Sequence, residues 1–452
     1  MLGHRGVREI APLLVTLMLG IFMGALDLSA LSPALHQIGS EFGSGAQALS
    51  WVFTAYLLAY VVAIPVMSKF SDVYGRRAIY VLDVALFAAG SLIAMVAPRF
   101  DVLIIGRIVQ AAGAGGIFPV ATATVADRVP EDRRGGALGM LGAVWGLAGV
   151  VGPALGGAIV HVASWRWVFA INLPLAALVI ALAMRNVHRG GMPRRGPLDF
   201  SGIVLLGTAL LAATAGLTRV HADRLLSAEN AASLWELAIA AVLFFAFAAV
   251  EGQAADPVIP PVLLRIPLLR LANVLEIGIG ILEGSLFFVP AALMAADGLN
   301  AVSAGALGAL AAFCFVAVVP MAGCALDKIG ARNVLFAGSF MVTLGMAAFA
   351  AFVSNVAAAI VALVVAGLGF GALLGAPTRY LVTSAAPAEM RAAAVGLLSI
   401  FLIFGQIVGG ALAGALVGPR LSAVAGYVHA YALFAGVAAI VTLMTLRIPR
   451  KA

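Results

Sequence analysis

The chain has 452 residues, 63% of them hydrophobic and 10% charged, with a net charge of +7 and a mean hydropathy of +1.10. A soluble domain carries about 25% charged residues, so this composition excludes one and describes a polytopic membrane protein. The positive excess then belongs to loops held on one face of a bilayer rather than to nucleic-acid binding.

A helix needs about 20 apolar residues to cross the bilayer. On that rule fourteen spans are expected, at 11–34, 49–68, 78–97, 101–125, 136–161, 166–185, 199–217, 232–251, 270–294, 304–323, 333–353, 355–377, 392–417 and 427–447. His4, Arg5 and Arg8 before the first apolar run imitate a signal peptide, but the run is too long, and a retained first helix is expected. An even count puts both termini on one side. Of the 27 Lys and Arg, Arg107 lies inside a span and Arg99, Arg166, Arg219, Arg224 and Arg420 fall in one set of loops. The remaining 21 fall in the other set, which places both termini in the cytoplasm. The expected location is a cell membrane of the bacterial cytoplasmic type. Cys314 and Cys324 share one expected helix, which excludes a disulfide between them and offers no metal spacing.

The stretch Pro65 to Arg77 (PVMSKFSDVYGRR) returns 255 residues later as Pro320 to Arg332 (PMAGCALDKIGAR), matching Asp72 to Asp327, Gly75 to Gly330 and Arg77 to Arg332. A second set of matches, at an offset of 257, pairs Pro130 with Pro387, Arg134 with Arg391, Gly139 with Gly396 and Gly152 with Gly409. Two copies in one chain imply two related bundles. The expected fold is all-α, with two six-helix bundles at 1–185 and 269–452, separated by linkers and two inserted helices at 186–268. The first linker, NVHRGGMPRRGPLDF, reads as a mobile cytoplasmic segment.

Five groups of residues are candidates for chemistry. Asp72, Gly75, Arg76, Arg77, Asp327, Gly330 and Arg332 sit at expected turns, where glycine permits a tight bend and Asp can accept from a helix N-terminus or pair with Arg. They read as a latch between the halves or as topology-setting loops, and Asp83 is assigned to the same region. Span 5 carries a glycine stripe whose outer part, Gly149, Gly152, Pro153, Gly156 and Gly157, reads as a hinge and seal or as plain packing, with Pro153 bending the span. Asp27 and Arg107 match in depth and sign, with Arg107 roughly 9 Å in from Asp101 at 1.5 Å per residue. They read as a structural ion pair or as a proton-exchanging acid beside a fixed cation. Asn273, Glu276, Gly280 and Glu283 share one face of span 9, which carries no nearby cation of its own. A buried, unpaired carboxylate is costly as an anion, so both acids are candidates for holding a proton. Tyr56, Gln110, Trp145, Asn172, Phe287 and Gln406 are candidates for lining a cavity. No phosphate-binding loop, HExxH or serine triad occurs, so no cofactor, metal or enzymatic chemistry is expected.

Four motifs in order carry a family resemblance over essentially the whole chain. They are LDLSALSPAL (Leu26–Leu35), SKFSDVYGRR, RIVQAAGAGG (Arg107–Gly116) and GLAGVVGPALGG (Gly146–Gly157). The chain resembles the major facilitator superfamily, and within it the fourteen-spanner branch of drug:proton antiporters. Ser68 stands where the loop motif usually opens on Gly, and Ser32 where the first-helix motif has Asn. The resemblance implies proton-coupled export of small amphipathic or cationic compounds by alternating access, with the turn motif acting as the latch. Export of lipids or another endogenous metabolite is the alternative, and a non-transporting sensor or scaffold the third reading. Expected partners are a small-molecule substrate, protons and the lipid bilayer, with no nucleic acid. The chain is expected to work as a monomer.

Overall fold

The computed structural model describes residues 5–44, 46–187, 200–219, 231–254, 257, 259–297, 301–374, 376–416 and 423–449. Most of the inserted linker falls outside these residues. The described chain is helical throughout. In order come α1 (Arg5–Ala30), α2 (Leu35–Phe42), α3 (Ala46–Tyr74), α4 (Arg76–Met95), α5 (Phe100–Arg128), α6 (Glu131–Val162), α7 (Arg166–Ala170), α8 (Asn172–Asn186), α9 (Phe200–Arg219) and α10 (Ala231–Glu251). They are followed by α11 (Pro261–Arg265), α12 (Pro267–Ser285), α13 (Val289–Asp297), α14 (Ala301–Ile329), α15 (Ala331–Phe352), α16 (Val356–Leu374), α17 (Pro377–Ala385), α18 (Arg391–Leu416) and α19 (Ala423–Thr445).

Among the described residues ten helices are long and apolar enough to cross a membrane, or eleven if the bent α6 is one span. Of the longer helices, α9, α12 and α14 are not among these. In α12 the reason is chemical, since Arg270, Glu276 and Glu283 fall within its 19 residues, and a short 3-10 turn at Leu286–Phe288 interrupts it before α13.

Helices α1 to α8 pack chiefly on one another, as do α12 to α19, and the two groups meet along α6 against α14 and α3 against α18. Missing side chains permit the closest approaches. Along α4 and α5, Gly90 faces the Gln110 backbone and Gly106 the Ala94 backbone, so the two helix axes come nearly to backbone contact. The expected hinge glycines divide in two. Gly139, nearer the start of α6, lies against Gly323 and Val319 of α14, where an added Cβ would come within 3.0 Å of both. Gly152 and Gly156 pack instead on Ser29 and Ala30 of α1, inside their own helix group, while Gly149 and Gly157 face open space. Helix α6 bends by 40° between Gly149 and Ala154, a break that contains Pro153, whose missing N–H removes one helical bond. The Pro153 side chain lies outside the described residues.

Helices α9 and α10 pack on each other, and α9 alone bridges α3 and α18. Leu206 is buried there among Val61, Ile64, Leu397 and Ile400, whereas Phe245 on α10 is 81% exposed. Leu206→Ala is therefore expected to lower the melting temperature in detergent, since truncating a packed Leu costs about 2–5 kcal/mol. Phe245→Ala is expected to leave it unchanged. Equal shifts for the two variants would contradict this placement.

Candidate functional site

The α3–α4 and α14–α15 turns lie at one end of the bundle, the turn end. Both helices run past the spans expected from sequence. α3 stays helical to Tyr74 and stops at Gly75, with φ 94°, and α14 stays helical to Ile329 and stops at Gly330, with φ 80°. Positive φ is open to glycine and strained for other residues. Asp72 and Asp327 therefore occupy the last turn of a helix rather than a loop, and each faces across to the other helix group.

The two contacts are reciprocal. Asp72 accepts from the backbone N–H of Ala392 (3.3 Å) and Ala393 (2.9 Å), in the first turn of α18. Asp327 accepts from Gly135 (2.8 Å) and Gly136 (2.9 Å), near the start of α6. Ala392 and Ala393 are orphan N–H groups of the first turn of α18, and the positive end of each helix dipole favours a carboxylate. The Asp72 side carries an added charge network. Arg76 donates to Asp72, to Ser71 Oγ (3.1 Å) and through Nε to Asp127 (3.0 Å). Arg391 Nη1 reaches the other Asp127 oxygen at 2.8 Å. At the repeat-equivalent of Arg76 the chain has Ala331, so the Asp327 contact lacks this brace.

Three residues assigned to the latch from sequence take no part in these hydrogen bonds. Arg77, at the turn, donates to the Met184 sulfur (3.4 Å) on α8. Arg332, at the other turn, is not among the hydrogen-bond partners of Asp327, which are on α6. Asp83 is fully buried between α4 and α5, beside Gly116, because seven residues of helix carry it away from Arg76 and into the bundle.

Deeper in the first helix group, Asp27 and Arg107 form a fully buried ion pair, Arg107 Nη1 to Asp27 Oδ2 at 2.5 Å. Gln110 donates to Asp27 Oδ1 (2.7 Å) and to Ser91 Oγ (2.8 Å), and accepts from Arg107 (2.6 Å). Asn172 donates to Asp27 Oδ1 at 2.9 Å. Arg107 Nε reaches the Val52 carbonyl (3.2 Å), and its guanidinium lies 4.1 Å from the Tyr56 ring centre. Gln110, Asn172 and Tyr56 were expected to line a cavity. Their burial at 0%, 1% and 0% exposure places them instead in the shell of this pair, Gln110 and Asn172 as donors and Tyr56 as a ring face.

A cavity of about 310 Å³ lies between the two helix groups. Tyr60, Phe118 and Trp145 line it from one side, and Glu283, Phe315, Arg379 and Gln406 from the other. Gln406 donates to Glu283 at 2.8 Å, and Trp145 stands edge-on to Phe118 with ring centres 5.7 Å apart. Glu276 is buried behind this wall, at 2% exposure, and acts electrostatically on Arg379. The Phe287 side chain lies outside the described residues.

Arg379 was expected in a loop, because it falls two residues past the span expected at 355–377. The chain instead resumes as α17 and turns Arg379 into the cavity, its Nη1 donating to the Leu374 carbonyl (2.8 Å) and its guanidinium 4.6 Å from the Phe118 ring centre. It places a cation beside the cavity acid Glu283, far from Arg270 at the start of α12. Asp127 was also missed, since an acid beside Arg128 at a helix end reads as ordinary surface.

At the end of the bundle opposite the turns, Glu41 accepts from the Trp165 indole and Arg166, each at 2.7 Å. The Arg166 hydrogen bond, followed by that from Trp165, holds Glu41 below the usual carboxylate range. This small cap clamps α2 onto α7 and leaves the central cavity untouched.

A profile described as the Major Facilitator Superfamily matches residues 17–296 and 278–452. The chain belongs to this superfamily. A member from Bacillus subtilis, described as an uncharacterized MFS-type transporter YfiU, is 32% identical over 84% of this chain and 75% of its own length. Multidrug resistance protein 3 of the same organism is 31% identical over 64% of this chain and 56% of its own. Among solved superfamily structures, the proton:xylose symporter XylE matches with a TM-score of 0.70 at 12% identity, covering 98% of this chain and 96% of that one. The human organic anion transporter MFSD10 matches at 0.69 and 14%, covering 96% and 99%. At such identity these two speak for the fold alone. The protein is thus a multi-pass membrane transporter for small molecules, and not an enzyme.

Proposed function

We propose that this superfamily member exports amphipathic or cationic compounds in exchange for protons, by rocking its two helix groups about the central cavity. Glu283 carries the reading. It is a carboxylate in a wall otherwise rich in aromatic rings, where a cation finds both a counter-charge and ring faces. Returning empty as an anion through a low-dielectric interior is costly, at about 2.5–3.5 kcal/mol for a charge at the bilayer centre. Proton and substrate cation therefore alternate on one acid. Asp27, locked by Arg107, is the second acid whose proton occupancy changes with conformation. The drug-related names of two relatives, Multidrug resistance protein 3 and Multidrug transporter protein MdtP, support a broad substrate range.

In this reading the chain spans the membrane fourteen times, as two six-helix bundles with α9 and α10 as a peripheral pair, and works as a monomer. The turn end is cytoplasmic, following the distribution of Lys and Arg, and the contacts of Asp72 and Asp327 latch it shut. Gly139 seals that end, while the bend near Pro153 lets the outer part of α6 move with α1.

The test is a panel of dyes, antibiotics and lipids offered to purified protein in liposomes, with and without a pH gradient. Gradient-driven movement of cationic dyes or drugs is expected. Movement of lipids alone would replace the substrate assignment, and no movement of any compound would remove transport of this class.

A further inference from the structure

Asp83 has no part in the cycle just described. It lies midway along α4 and is fully buried, and both its oxygens lack a hydrogen-bond partner among the described residues. Its carboxyl rests on Gly116 of α5, where an added Cβ would overlap it. The glycine leaves room for the acid and offers it nothing polar.

Its ionisable surroundings are all engaged elsewhere. On α4, Tyr80 sends its hydroxyl to the carbonyls of Leu17 (3.2 Å) and Thr16 (3.4 Å) on α1. Arg76 is seven residues away, about 10 Å along the axis at 1.5 Å per residue, and is held by Asp72 and Asp127. On α5, Arg107 lies nine residues from Gly116, about 13 Å by the same rise, and is held by Asp27. The other charged groups on α4 and the adjoining helices are Arg77 on α4, Arg5, Arg8, Glu9 and Asp27 on α1, Lys69 and Asp72 on α3, Asp101, Asp127 and Arg128 on α5, Arg166 on α7 and Arg185 on α8. None of them forms a hydrogen bond or ion pair with Asp83. An anion buried without a donor is expensive, and such a group neutralises instead.

The same face of α4 carries Asp83, Phe87 and Ser91 at four-residue spacing. Ser91 is joined to Gln110 and Asn172, and through them to Asp27. Phe87, itself fully buried, separates the two acids.

We propose that Asp83 is a protonated acid in this conformation and a second proton site of the first helix group, between the Asp27 cluster and the turn end. When a loosening of the α4–α5 contact, additional to the rocking of the two groups, admits water, the Asp83 O–H bond breaks, the proton passes to water and the carboxylate remains. When the contact closes, the carboxylate takes a proton back. Its protonation is thereby tied to the α4–α5 contact. The protonated state stands on the local geometry, and only its use in transport rests on proton-coupled export.

Infrared difference spectroscopy of the full chain in lipid tests the first part. At neutral pH the wild type is expected to show a protonated-carboxyl carbonyl band that shifts in heavy water and is absent from Asp83→Asn. Identical bands in the two proteins would overturn the proposal. Asp83→Asn keeps the shape, and a melting curve establishes that it is folded. Asp83→Glu, tested beside it, is expected to restore the band. The transport arm separates this proposal from the export reading. Asp83→Asn is expected to keep substrate exchange at zero pH gradient while gradient-driven flux falls about tenfold, or about 1.4 kcal/mol. A missing band with unchanged gradient-driven flux would overturn the role in transport and leave proton-coupled export standing. If even the wild type ignores the gradient, the export reading fails while the band still decides the protonation of Asp83.

Discussion

Replacing Asp27 by Asn is expected to yield a transporter whose substrate flux no longer follows a pH gradient, and to weaken the fold as well. The Asp27–Arg107 pair is fully buried. Removing one partner of such a pair leaves an uncompensated charge and costs about 3–5 kcal/mol. Asn still accepts from Gln110 and Asn172, so the damage centres on Arg107. The double variant Asp27→Asn with Arg107→Gln removes both charges and is expected to recover most of the lost melting temperature. It is not expected to recover the response to pH. This split separates a structural pair from a proton-exchanging one, because a purely structural pair would regain both together. Glu283→Gln belongs in the same series. It faces the cavity, where Gln406 donates to it and Arg379 lines the same wall, so coupling is expected to go at a smaller cost in stability than at Asp27. Full gradient-driven transport by both single variants would remove these acids from the cycle.

Asp72→Asn is expected to open the turn end more than Asp327→Asn does. Each acid holds two N–H groups at the start of a helix from the other group. Asp72 is also tied to Arg76, which is 8% exposed and linked through Asp127 to Arg391. Neutralising Asp72 therefore leaves a nearly buried cation with Asp127 as its one carboxylate partner, whereas position 331 is Ala and Asp327 leaves none behind. Hydrogen bonds to charged groups contribute about 1.5–3 kcal/mol each, enough to shift a balanced open–closed equilibrium by tenfold or more. Ser399 lines the cavity. With Cys314 and Cys324 replaced by Ser, Ser399→Cys reports access from the turn side to an impermeant thiol reagent. Labelling is expected to be slow in this background, fast with Asp72→Asn and intermediate with Asp327→Asn. Unchanged labelling in both would mean that these turns only set topology.

The parts of this arrangement legible in the sequence are those that the internal repeat duplicates or that charge makes conspicuous. Asp72 and Asp327 stand out because the same turn occurs twice, and Asp27 and Arg107 because charges inside apolar runs are rare. What each latch acid grips was not legible. The grip is on backbone N–H groups of α18 and α6, which carry no side-chain signature. The glycine stripe of α6 reads as one face, yet it serves α14 at one end and α1 at the other, and only the bend at 149–154 separates the two. Arg379 was hidden by the hydropathy of its neighbours. The expected span stops two residues before it, while the helix resumes and carries it into the cavity. Gln110 and Asn172 are polar enough to line a cavity, and nothing local distinguishes that role from satisfying a buried ion pair.

The most direct test of proton exchange is proton movement itself. Liposomes containing the purified protein and a pH-sensitive dye in the lumen are loaded to an acid interior, and a cationic substrate is added outside. The account predicts that substrate accumulates while the lumen becomes more alkaline, that both signals vanish with a protonophore, and that both are absent in Glu283→Gln. Substrate accumulation with a lumen pH that does not move, in the wild type and with the gradient intact, would contradict it.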